Sequence, residues 1–305
     1  MKPPYGNGVA FIEGRYCPIG EARIPILDLG FLRSDANQDT VSVWGGSFFR
    51  LDDHQRRFER NIARLRMHCP YDRQARNQIL AECVRRTGLR NAYVQMVMTR
   101  GRLPAGSRDI RGCANQFYAF CLPYVWLAPE EQRRRGLHAH ISDIERVPPQ
   151  SIDSTVKHYH WLDFELGLLE AYDARAETVI VVDRNGDIAE GPGFNVFIVE
   201  RGRLATPAAG VLDGITRRTV LELCAEMGIP CAAEPIAPAR VRAADEVFVT
   251  STAGGLIAVT TVDEHPVGAG TPGPVTARLT DAYWSRREAG WHATRIDYGD
   301  GPWRS

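Results

Sequence analysis

The spacing of apolar residues changes along the chain and separates strand-like from helix-like stretches. From residue 54 onward apolar residues recur three and four positions apart, which predicts a helix with Asp52 or Asp53 as its N-cap. A second helix is predicted over residues 72–87, with Gly88 as its stop. Short runs bounded by glycines or polar residues predict strands within residues 9–18, 41–50, 92–100 and 115–124.

A polar, proline-marked stretch, WLAPEEQRRRG, follows at residues 126–136 and suggests a domain boundary. We therefore expect a small α/β domain over residues 1–126, a linker over 127–136 and a larger domain over 137–305. The larger domain is predicted to be rich in strands, and the mixed order predicts an α/β (α+β) fold. Its predicted elements are a strand at 138–145, helices at about 160–173, 217–227 and 274–288, hairpins turning at Asn185-Gly186 and Arg201-Gly202, and a strand at 246–251.

Composition argues against several classes of partner. The chain has 37 acidic and 37 basic side chains, whereas nucleic acids and anionic membranes favour a basic excess. No apolar stretch approaches the ~18–20 residues of a membrane span, and the N-terminal residues lack the apolar core of a secretory signal. The seven cysteines include no CxxC pair, which favours reduced thiols. We expect a cytoplasmic protein of enzyme-like size, with no nucleic-acid or membrane partner.

Lysine is almost absent from this chain. Of the 37 basic side chains only Lys2 and Lys157 are lysines, so arginine was not accepted at position 157. Arginine replaces lysine as a surface charge, but it cannot serve as an amine nucleophile because it stays protonated. Lys157 lies just ahead of the predicted helix at 160–173, where the positive end of the helix dipole would favour a neutral amine. The alternative is a lysine retained by chance.

A neutral lysine can form a Schiff base with an aldehyde, which points to pyridoxal phosphate. This cofactor requires an anion site for its phosphate, a carboxylate for its pyridine nitrogen and an apolar slot for its ring. Backbone N–H groups for the phosphate could come from the glycine-flanked turns at 214–217 and 251–255, although plain loops look the same. A carboxylate for the pyridine nitrogen could be Glu190, although an exposed glutamate would give the same pattern. The two HxH pairs, at 138–140 and 158–160, have no third metal ligand at the usual spacing, so no metal is expected.

Several segments taken in order resemble fold-type IV pyridoxal-phosphate transaminases. This group includes branched-chain, D-amino acid and (R)-selective amine transaminases, and the resemblance is greatest to the last. It covers about residues 9–284. The segments are ARIPILDLGF (22–31), VWGGSFFRLDDH (43–54), TVK (155–157), EGPGFN (190–195), GVLDGITRR (210–218), TAGG (252–255) and GPVT (273–276).

The resemblance implies a small α/β domain, a larger β-rich pseudo-barrel domain with flanking helices, and a homodimer whose neighbouring subunit closes each active site. It implies that Lys157 holds the cofactor and moves the proton, that Glu190 pairs with the pyridinium nitrogen and that Arg57 binds the phosphate. Further implied cofactor-binding residues are Phe194, Asn195, Ile215, Thr216, Ser251 and Thr252. The implied substrate-binding residues include Tyr93, Trp161 and Ala253.

Substrate-facing positions depart from the (R)-amine transaminases. Arg33 stands where those enzymes often have histidine, Gln38 replaces a bulky aromatic residue, and Thr40 replaces an aliphatic one. Polar groups left unpaired by a hydrophobic amine cost roughly 1–3 kcal/mol each, so these departures favour substrates with a carboxylate. The family often places a carboxylate-binding arginine after this strand, which supports Arg108, whereas Arg100 fits a structural role.

The sequence therefore predicts a transaminase that moves the amino group of a D-amino acid or (R)-primary amine to a keto acid such as pyruvate by a ping-pong route. L-specific branched-chain transaminases share the fold, so the fold alone does not determine handedness. A 4-amino-4-deoxychorismate lyase is a further alternative on the same scaffold. A non-catalytic homologue is disfavoured because Lys157, Glu190 and Arg57 are all present.

Overall fold

A computed structural model of the chain describes residues 6–299, so Lys2 lies outside the described residues. The chain forms two compact units. The first unit comprises the described residues up to Val125, together with Val156–Tyr159 and the described residues from Arg287 onward. The second unit comprises Trp126–Thr155 and His160–Arg286. The four residues that include Lys157 thus belong to the first unit, although the sequence suggested a simple division at 127–136.

The first unit is a seven-stranded sheet with α2 and α3 packed against one face. The strands follow the spatial order β16-β4-β3-β5-β6-β1-β2, and all pairs are antiparallel. The elements are β1 (Val9–Ile12), β2 (Arg15–Pro18), α1 (Leu29–Arg33), β3 (Ala36–Trp44), β4 (Ser47–Phe49), α2 (Leu51–Arg64), α3 (Arg73–Thr87), β5 (Ala92–Thr99), β6 (Gln116–Pro123) and, from the end of the chain, β16 (Ala293–Arg295).

The two faces of β3 and β5 have different chemistry. Apolar side chains on one face, such as Val41, Val94 and Met96, pack against α2 and α3 to form the core of this unit. Successive strand residues point to opposite faces, so Gln38, Thr40 and Ser42 lie on the other face. Thr40 pairs with Gln95 across the strands, which makes that face polar. The polar face is where the substrate residues predicted on β3 are found.

The sequence predicted α2 and α3 but not the short helix α1. Gly88 ends α3 in the left-handed conformation at φ 70°, as predicted, and Asp72 caps its start by accepting a hydrogen bond from the Ala75 N–H. The predicted caps Asp52 and Asp53 are wrong, because α2 starts at Leu51 and Arg50 occupies the N-cap at φ 54°. Asp53 instead forms an ion pair with Arg50 at 3.1 Å.

The expected linker is a folded part of the second unit. Residues 130–135 form α4 (Glu130–Arg135), and the Leu127 N–H donates to the Ala253 carbonyl at 2.5 Å. The Arg133 guanidinium lies 3.5 Å from the centre of the Trp126 ring. The division between the units lies at the start of this stretch, between Val125 and Trp126, and the prolines and charges that follow form a helix start and a solvated helix face.

The second unit is a nine-stranded sheet with a mixture of parallel and antiparallel pairs. Its main path runs β12-β11-β10-β13-β14-β7-β8, with β15 paired to β14 and β9 paired to β10. The elements after α4 are β7 (Leu137–Glu145), α5 (Leu162–Asp173), β8 (Thr178–Val182), β9 (Glu190–Gly191), β10 (Phe194–Glu200), β11 (Arg203–Thr206), α6 (Ile215–Met227), β12 (Cys231–Ala233), α7 (Pro238–Ala243), β13 (Glu246–Ser251), β14 (Gly255–Val262), β15 (His265–Pro266) and α8 (Pro274–Glu288).

The buried core of this unit is built from the β-branched residues of these strands, including Ile180, Val196, Val247 and Val259. The predicted hairpin at Arg201-Gly202 joins β10 to β11, and α6 begins two residues before its predicted start. Together the two units are the small α/β part and the larger β-rich part of the fold that the sequence predicted. In the described range, no helix is long and apolar enough to cross a membrane.

Candidate active site

The backbone of Lys157 is fixed to the first unit on both sides. The Gln38 N–H donates to the Lys157 carbonyl at 2.9 Å, and a β-bridge joins Asn37 to His158. With its amide oriented to satisfy both neighbours, Asn61 accepts from the Lys157 N–H at 3.1 Å. Helix α5 begins only at Leu162, so the expectation that Lys157 lies at a helix N-terminus is wrong. Its neutral form therefore receives no support from that dipole, whose effect is confined to the first turn.

Arg57 lies one turn before Asn61 on α2 and is held by a buried carboxylate. Its Nε and one Nη each donate to Asp39 at 2.8 Å, and Asp39 and Arg57 are 0% and 3% exposed. Asn61 also donates to the Arg57 carbonyl at 3.2 Å. The guanidinium orientation is thus fixed by Asp39, while Asn61 connects the backbones of Arg57 and Lys157.

His54 completes this cluster, since its Nδ1 lies 2.8 Å from Asp39 Oδ1. Burial by itself would raise the pKa of Asp39, but the charges and hydrogen bonds of Arg57 and His54 outweigh it and hold that pKa well below its usual range. Burial lowers the pKa of His54 despite the neighbouring carboxylate. The cluster at neutral pH is therefore an Arg57–Asp39 ion pair with a neutral imidazole as third member.

Glu190, on β9 of the second unit, is 5% exposed, so it is not a solvated surface glutamate. Its Oε2 accepts from the Leu212 N–H at 3.0 Å and from Asn195 Nδ2 at 3.3 Å. Its Oε1 lies 3.4 Å from the Nε of buried Arg146. These donors favour the ionised carboxylate, the form needed to pair with a protonated ring nitrogen.

Arg146 is itself shared between two carboxylates. Its Nη1 donates to Asp163 at 2.5 Å, and the Asp163 side chain also accepts from the Val147 and Phe164 N–H groups at 2.9 Å. The Arg146 guanidinium also stacks over the Phe164 ring at 4.2 Å. Arg146 therefore cannot swing away from Glu190 without breaking several contacts.

The two predicted anion-binding turns both lie in the second unit. Ile215 and Thr216 are buried at the start of α6, with Gly214 at its N-cap. Ser251 ends β13 and donates to the Gly193 carbonyl at 2.8 Å, while the Ala253 N–H donates back to Ser251 at 3.1 Å. The start of α6 thus has backbone N–H groups beside the Thr216 side chain, as anion sites require, whereas the Ala253 N–H of the second turn is bonded to Ser251.

The remaining predicted residues of the second unit are in ordered positions. Phe194 is buried beside Asn195 on β10, and Thr252 is half-buried between Ser251 and Ala253. Trp161 is the N-cap of α5, and its ring packs edge-on against Phe164 at 5.6 Å. Trp161 thus packs at the start of α5.

The predicted substrate residues of the first unit fall into two groups. Gln38, Thr40 and Tyr93 lie together on the polar sheet face, where Thr40 contacts both of the others within 3.3 Å. Arg33, at the end of α1, and Arg108, in the loop after β5, are exposed and lie apart from this group along the chain. Arg100 forms a two-point pair with Asp35 and donates to the Leu65 carbonyl, which is the structural role expected of it.

Sequence reasoning missed five residues that fix the site: Asp39, His54, Asn61, Arg146 and Asp163. Asp39 had a readable signal, because it is a carboxylate inside an alternating strand, at a position of the apolar face. The others are polar residues whose partners lie far away in sequence, so only the folded chain reveals them. In the HxH pair at 138–140, His140 Nδ1 lies 3.0 Å from Asp263 Oδ1, and the described residues contain no group of three potential metal ligands.

The first unit holds a buried arginine linked through Asn61 to a lysine, and the second unit holds a buried glutamate and a helix start with backbone N–H groups. These are residue types that a pyridoxal-phosphate enzyme uses. The amino-transferase class IV family model matches residues 38–262. The chain is similar to a putative branched-chain-amino-acid aminotransferase of Methanocaldococcus jannaschii, with 28% identity over 90% of this chain and 94% of the relative. It is also similar to a branched-chain-amino-acid aminotransferase of Pseudomonas aeruginosa, with 31% identity over 79% of this chain and 78% of the relative.

A D-alanine aminotransferase of Bacillus licheniformis is 28% identical over 88% of this chain and 94% of its own length. Among solved structures, a T.th. branched-chain amino acid aminotransferase with pyridoxamine 5'-phosphate has a TM-score of 0.88 and 26% identity, covering 95% of this chain and 99% of that chain. The chain therefore belongs to the class IV aminotransferases. It is a pyridoxal 5'-phosphate-dependent aminotransferase that uses an amino acid and a keto acid.

Proposed function

We propose that this aminotransferase moves the amino group of a D-amino acid or an (R)-primary amine to a keto acid such as pyruvate by a ping-pong route. The observation that carries the proposal is the joint fixing of Lys157 and Arg57 through Asn61 on α2. A Schiff-base lysine and a phosphate-binding arginine must keep a constant separation, because one rigid cofactor joins them.

The residues present fit pyridoxal phosphate. Asp39 holds one edge of the Arg57 guanidinium, which directs the group toward a single anion position. Glu190 is buried and accepts hydrogen bonds from the Leu212 N–H and from Asn195, which orient its carboxyl group to serve as the partner of a pyridinium nitrogen. The start of α6 offers the N–H groups of Ile215 and Thr216, and Thr252 lies in the turn that follows β13.

We assign the roles accordingly. When bound, the cofactor supplies an electrophilic carbon and a ring that accepts electrons from the substrate. Lys157 would hold it covalently and then carry the proton between the substrate carbon and the cofactor. Arg57, Thr216 and Thr252 would bind the phosphate, and Glu190 would keep the ring nitrogen protonated. Phe194 and Asn195 would support Glu190 from β10.

Two observations support a substrate with a carboxylate and D handedness. The sheet face beside Lys157 is polar, and it would lose hydrogen bonds to a bare hydrophobic amine. A relative of nearly the same length is named a D-alanine aminotransferase. L-Branched-chain amino acids are the second candidate, because most of the similar proteins bear that name.

We further propose that the enzyme is a homodimer whose subunits complete each other's sites. Large apolar side chains are exposed in one stretch of the first unit: Ile24, Ile26, Leu27, Phe31 and Leu32, at 47–73%. A contiguous apolar stretch of this kind is unusual on a monomer, and a second copy would cover it. Arg33 follows directly in sequence and Arg108 lies beside exposed Ile110, so both arginines could reach the partner's substrate.

Sedimentation velocity tests the dimer. Phe31→Glu should shift the protein toward monomer, because it places a charge in the covered stretch. Val125→Glu is the matched control, since Val125 is exposed at 43% but lies outside that stretch. A Phe31→Glu protein that sediments like the wild type would contradict the interface.

The substrate is tested by the half-reaction without an amino acceptor. The loaded enzyme is mixed separately with D-alanine, L-leucine and (R)-1-phenylethylamine, and conversion of the cofactor is followed by absorbance. Faster conversion by D-alanine or the (R)-amine supports the proposal, and Lys157→Ala is the negative control. Conversion by L-leucine alone would move the enzyme to the branched-chain class. Failure of all three donors would overturn the proposal and favour the lyase.

A further inference from the structure

Two cysteines of the second unit lie side by side where α6 ends and β12 begins. Cys224 is in the last turn of α6, and Gly228 then reverses the chain in the left-handed conformation at φ 67°. The Ile229 N–H donates back to the Cys224 carbonyl at 2.9 Å, which closes the reversal. Cys231 follows as the first residue of β12. The returning chain thus brings the two thiols within hydrogen-bonding reach of each other.

The two thiols differ in their access to solvent. Cys224 is only 1% exposed, whereas Cys231 is half-buried. Among the described strands, β12 stands at one end of its sheet and pairs with β11 alone, where Leu204 is the partner of Cys231. A small molecule that approaches this sheet edge therefore meets Cys231 first, and Cys224 lies directly behind it.

The surroundings of Cys231 favour its thiolate. The hydrogen bond from Cys224 lowers the pKa of Cys231 most, and it outweighs the effect of burial. The nearby cations of Arg217 and Arg203 lower that pKa further, and Arg217 is held in place by donating to Thr206 Oγ1 at 3.2 Å. The same hydrogen bond raises the pKa of Cys224, which therefore keeps its proton. A thiolate beside a protonated thiol is the arrangement of a redox-active cysteine pair.

We propose that Cys224 and Cys231 form a reversible disulfide when the protein meets a small disulfide such as oxidised glutathione. This modification site contains none of the residues assigned to the cofactor or the substrate, and it does not depend on which amino donor the enzyme uses. Disulfides of proteins in reducing compartments are mostly transient and redox-sensing, so the bond is a response to oxidation rather than a permanent cross-link.

The reaction takes place in two exchange steps. The Cys231 thiolate attacks one sulfur of oxidised glutathione, the glutathione S–S bond breaks, and one glutathione thiolate leaves. The Cys224 thiol then attacks Cys231 Sγ, loses its proton to solvent and displaces the second glutathione. The two cysteines are oxidised by two electrons in total, and one oxidised glutathione is reduced to two thiols. A reducing thiol reverses both steps.

Peptide mapping of the loaded protein tests the bond. The protein is incubated with oxidised glutathione, denatured in acid, alkylated with iodoacetamide and digested with trypsin. Both cysteines lie in one tryptic peptide, residues 219–240, because no lysine or arginine stands between Arg218 and Arg240. This peptide should be two hydrogens lighter than its reduced form and carry no alkyl group. Dithiothreitol should restore two alkylated cysteines.

Single variants test the order of attack. Cys224→Ser should stop at the first step, so Cys231 should retain one glutathione. Cys231→Ser should leave Cys224 unmodified, because the buried thiol keeps its proton. The first step in wild type should be about 10-fold or more faster than glutathione attachment to Cys224 in Cys231→Ser. Equal rates at the two positions would overturn the role of Cys231 as the attacking thiolate.

A second pair of neighbouring cysteines provides the internal control. Cys83 and Cys121 are both fully buried, and burial raises the pKa of each thiol. They should remain reduced and be alkylated after denaturation, although they are close enough to influence each other. Oxidation of Cys83 and Cys121 as fast as that of Cys224 and Cys231 would show that proximity alone decides the reaction, and would overturn the proposal.

Urea unfolding shows whether the bond fits the folded chain. Oxidised wild type should unfold at a higher urea concentration than reduced wild type, because a disulfide restricts the unfolded chain. Cys231→Ser should unfold at the same urea concentration with and without oxidant. A lower midpoint for the oxidised wild type would mean that the thiols must leave their folded positions to bond, and full alkylation of the 219–240 peptide after oxidation would mean that no bond forms. Either result would overturn the proposal, and neither depends on turnover.

Discussion

Replacing Asp39 with asparagine tests the central ion pair of the first unit. The change keeps the shape of the side chain but leaves the Arg57 cation without its counter-charge at a site that is 3% exposed. Two unit charges about 4 Å apart attract by about 4 kcal/mol at an effective dielectric constant near 20. Breaking a buried pair by removing one partner costs about 3–5 kcal/mol. Because asparagine retains one acceptor, we expect a loss near the lower limit, about 3 kcal/mol.

The assay is urea unfolding of the cofactor-free protein, with wild type and Asp39→Asn compared at pH 7. Asp109→Asn is the matched control, because Asp109 forms the same two-point pair with Arg111 but at the surface. Exposed pairs contribute little to stability, so this variant should unfold at the wild-type urea concentration. Because both pairs have the same two-point geometry, a difference in stability between the two variants reports the effect of burial.

The pH dependence provides a second check on the same pair. Asp39 has a lower pKa in the folded state than in the unfolded state, so below about pH 4 the unfolded state binds the extra proton and wild-type stability falls. The stabilising effect of the ionised carboxylate is therefore fully present at pH 7 and pH 5 and is lost only below pH 4. An Asp39→Asn protein as stable as wild type, or a stability difference that disappears by pH 5, would refute the reasoning.

Three further variants test the site. Lys157→Ala should lose covalent retention of the cofactor, seen as loss of its visible absorbance after gel filtration, and all turnover; transamination by this variant would contradict the role of Lys157. Asn61→Leu removes the link between Arg57 and Lys157. The cofactor should then dissociate about 10-fold faster, because a buried hydrogen bond is lost. Unchanged cofactor release, measured by fluorescence after dilution, would make Asn61 merely structural. Arg108→Ala should raise KM for pyruvate and D-alanine about 10-fold or more while sparing (R)-1-phenylethylamine, and equal effects on acid and amine would exclude carboxylate binding by Arg108.

The fold was largely predictable because its elements carry local signals. Helix α3 has an aspartate cap and a glycine stop, and the hairpin between β10 and β11 turns at Arg201-Gly202, where the chain reverses. The segment at 126–136 begins at the division between the units but folds as a short surface helix, which has the same proline and charge content as a linker. Local composition cannot distinguish them, since the difference lies in contacts such as Leu127 to Ala253.

The sequence allowed the chemically active residues of the site to be proposed, but not the residues that hold them in position. Lys157 and Glu190 could be proposed from composition and position, and Arg57 from resemblance. Lys157 was wrongly placed at a helix N-terminus, because the pattern of apolar residues does not show that α5 starts only at Leu162. The residues that orient the site are polar groups paired across long stretches of chain, such as Asp39 with Arg57, and no short-range signal records such pairs.

The position of Lys157 explains why its segment is organised as it is. Residues 156–159 belong to the first unit although both flanking segments belong to the second. The lysine is thereby attached to α2 and β3, the same elements that hold Arg57 and Gln38. If Arg57 binds the phosphate and Gln38 faces the substrate, one rigid helix–strand pair fixes the lysine, the cofactor phosphate and the substrate relative to each other. Such a common frame is what a lysine needs to exchange a proton repeatedly with one carbon atom, because small displacements of the reacting groups cost large factors in rate.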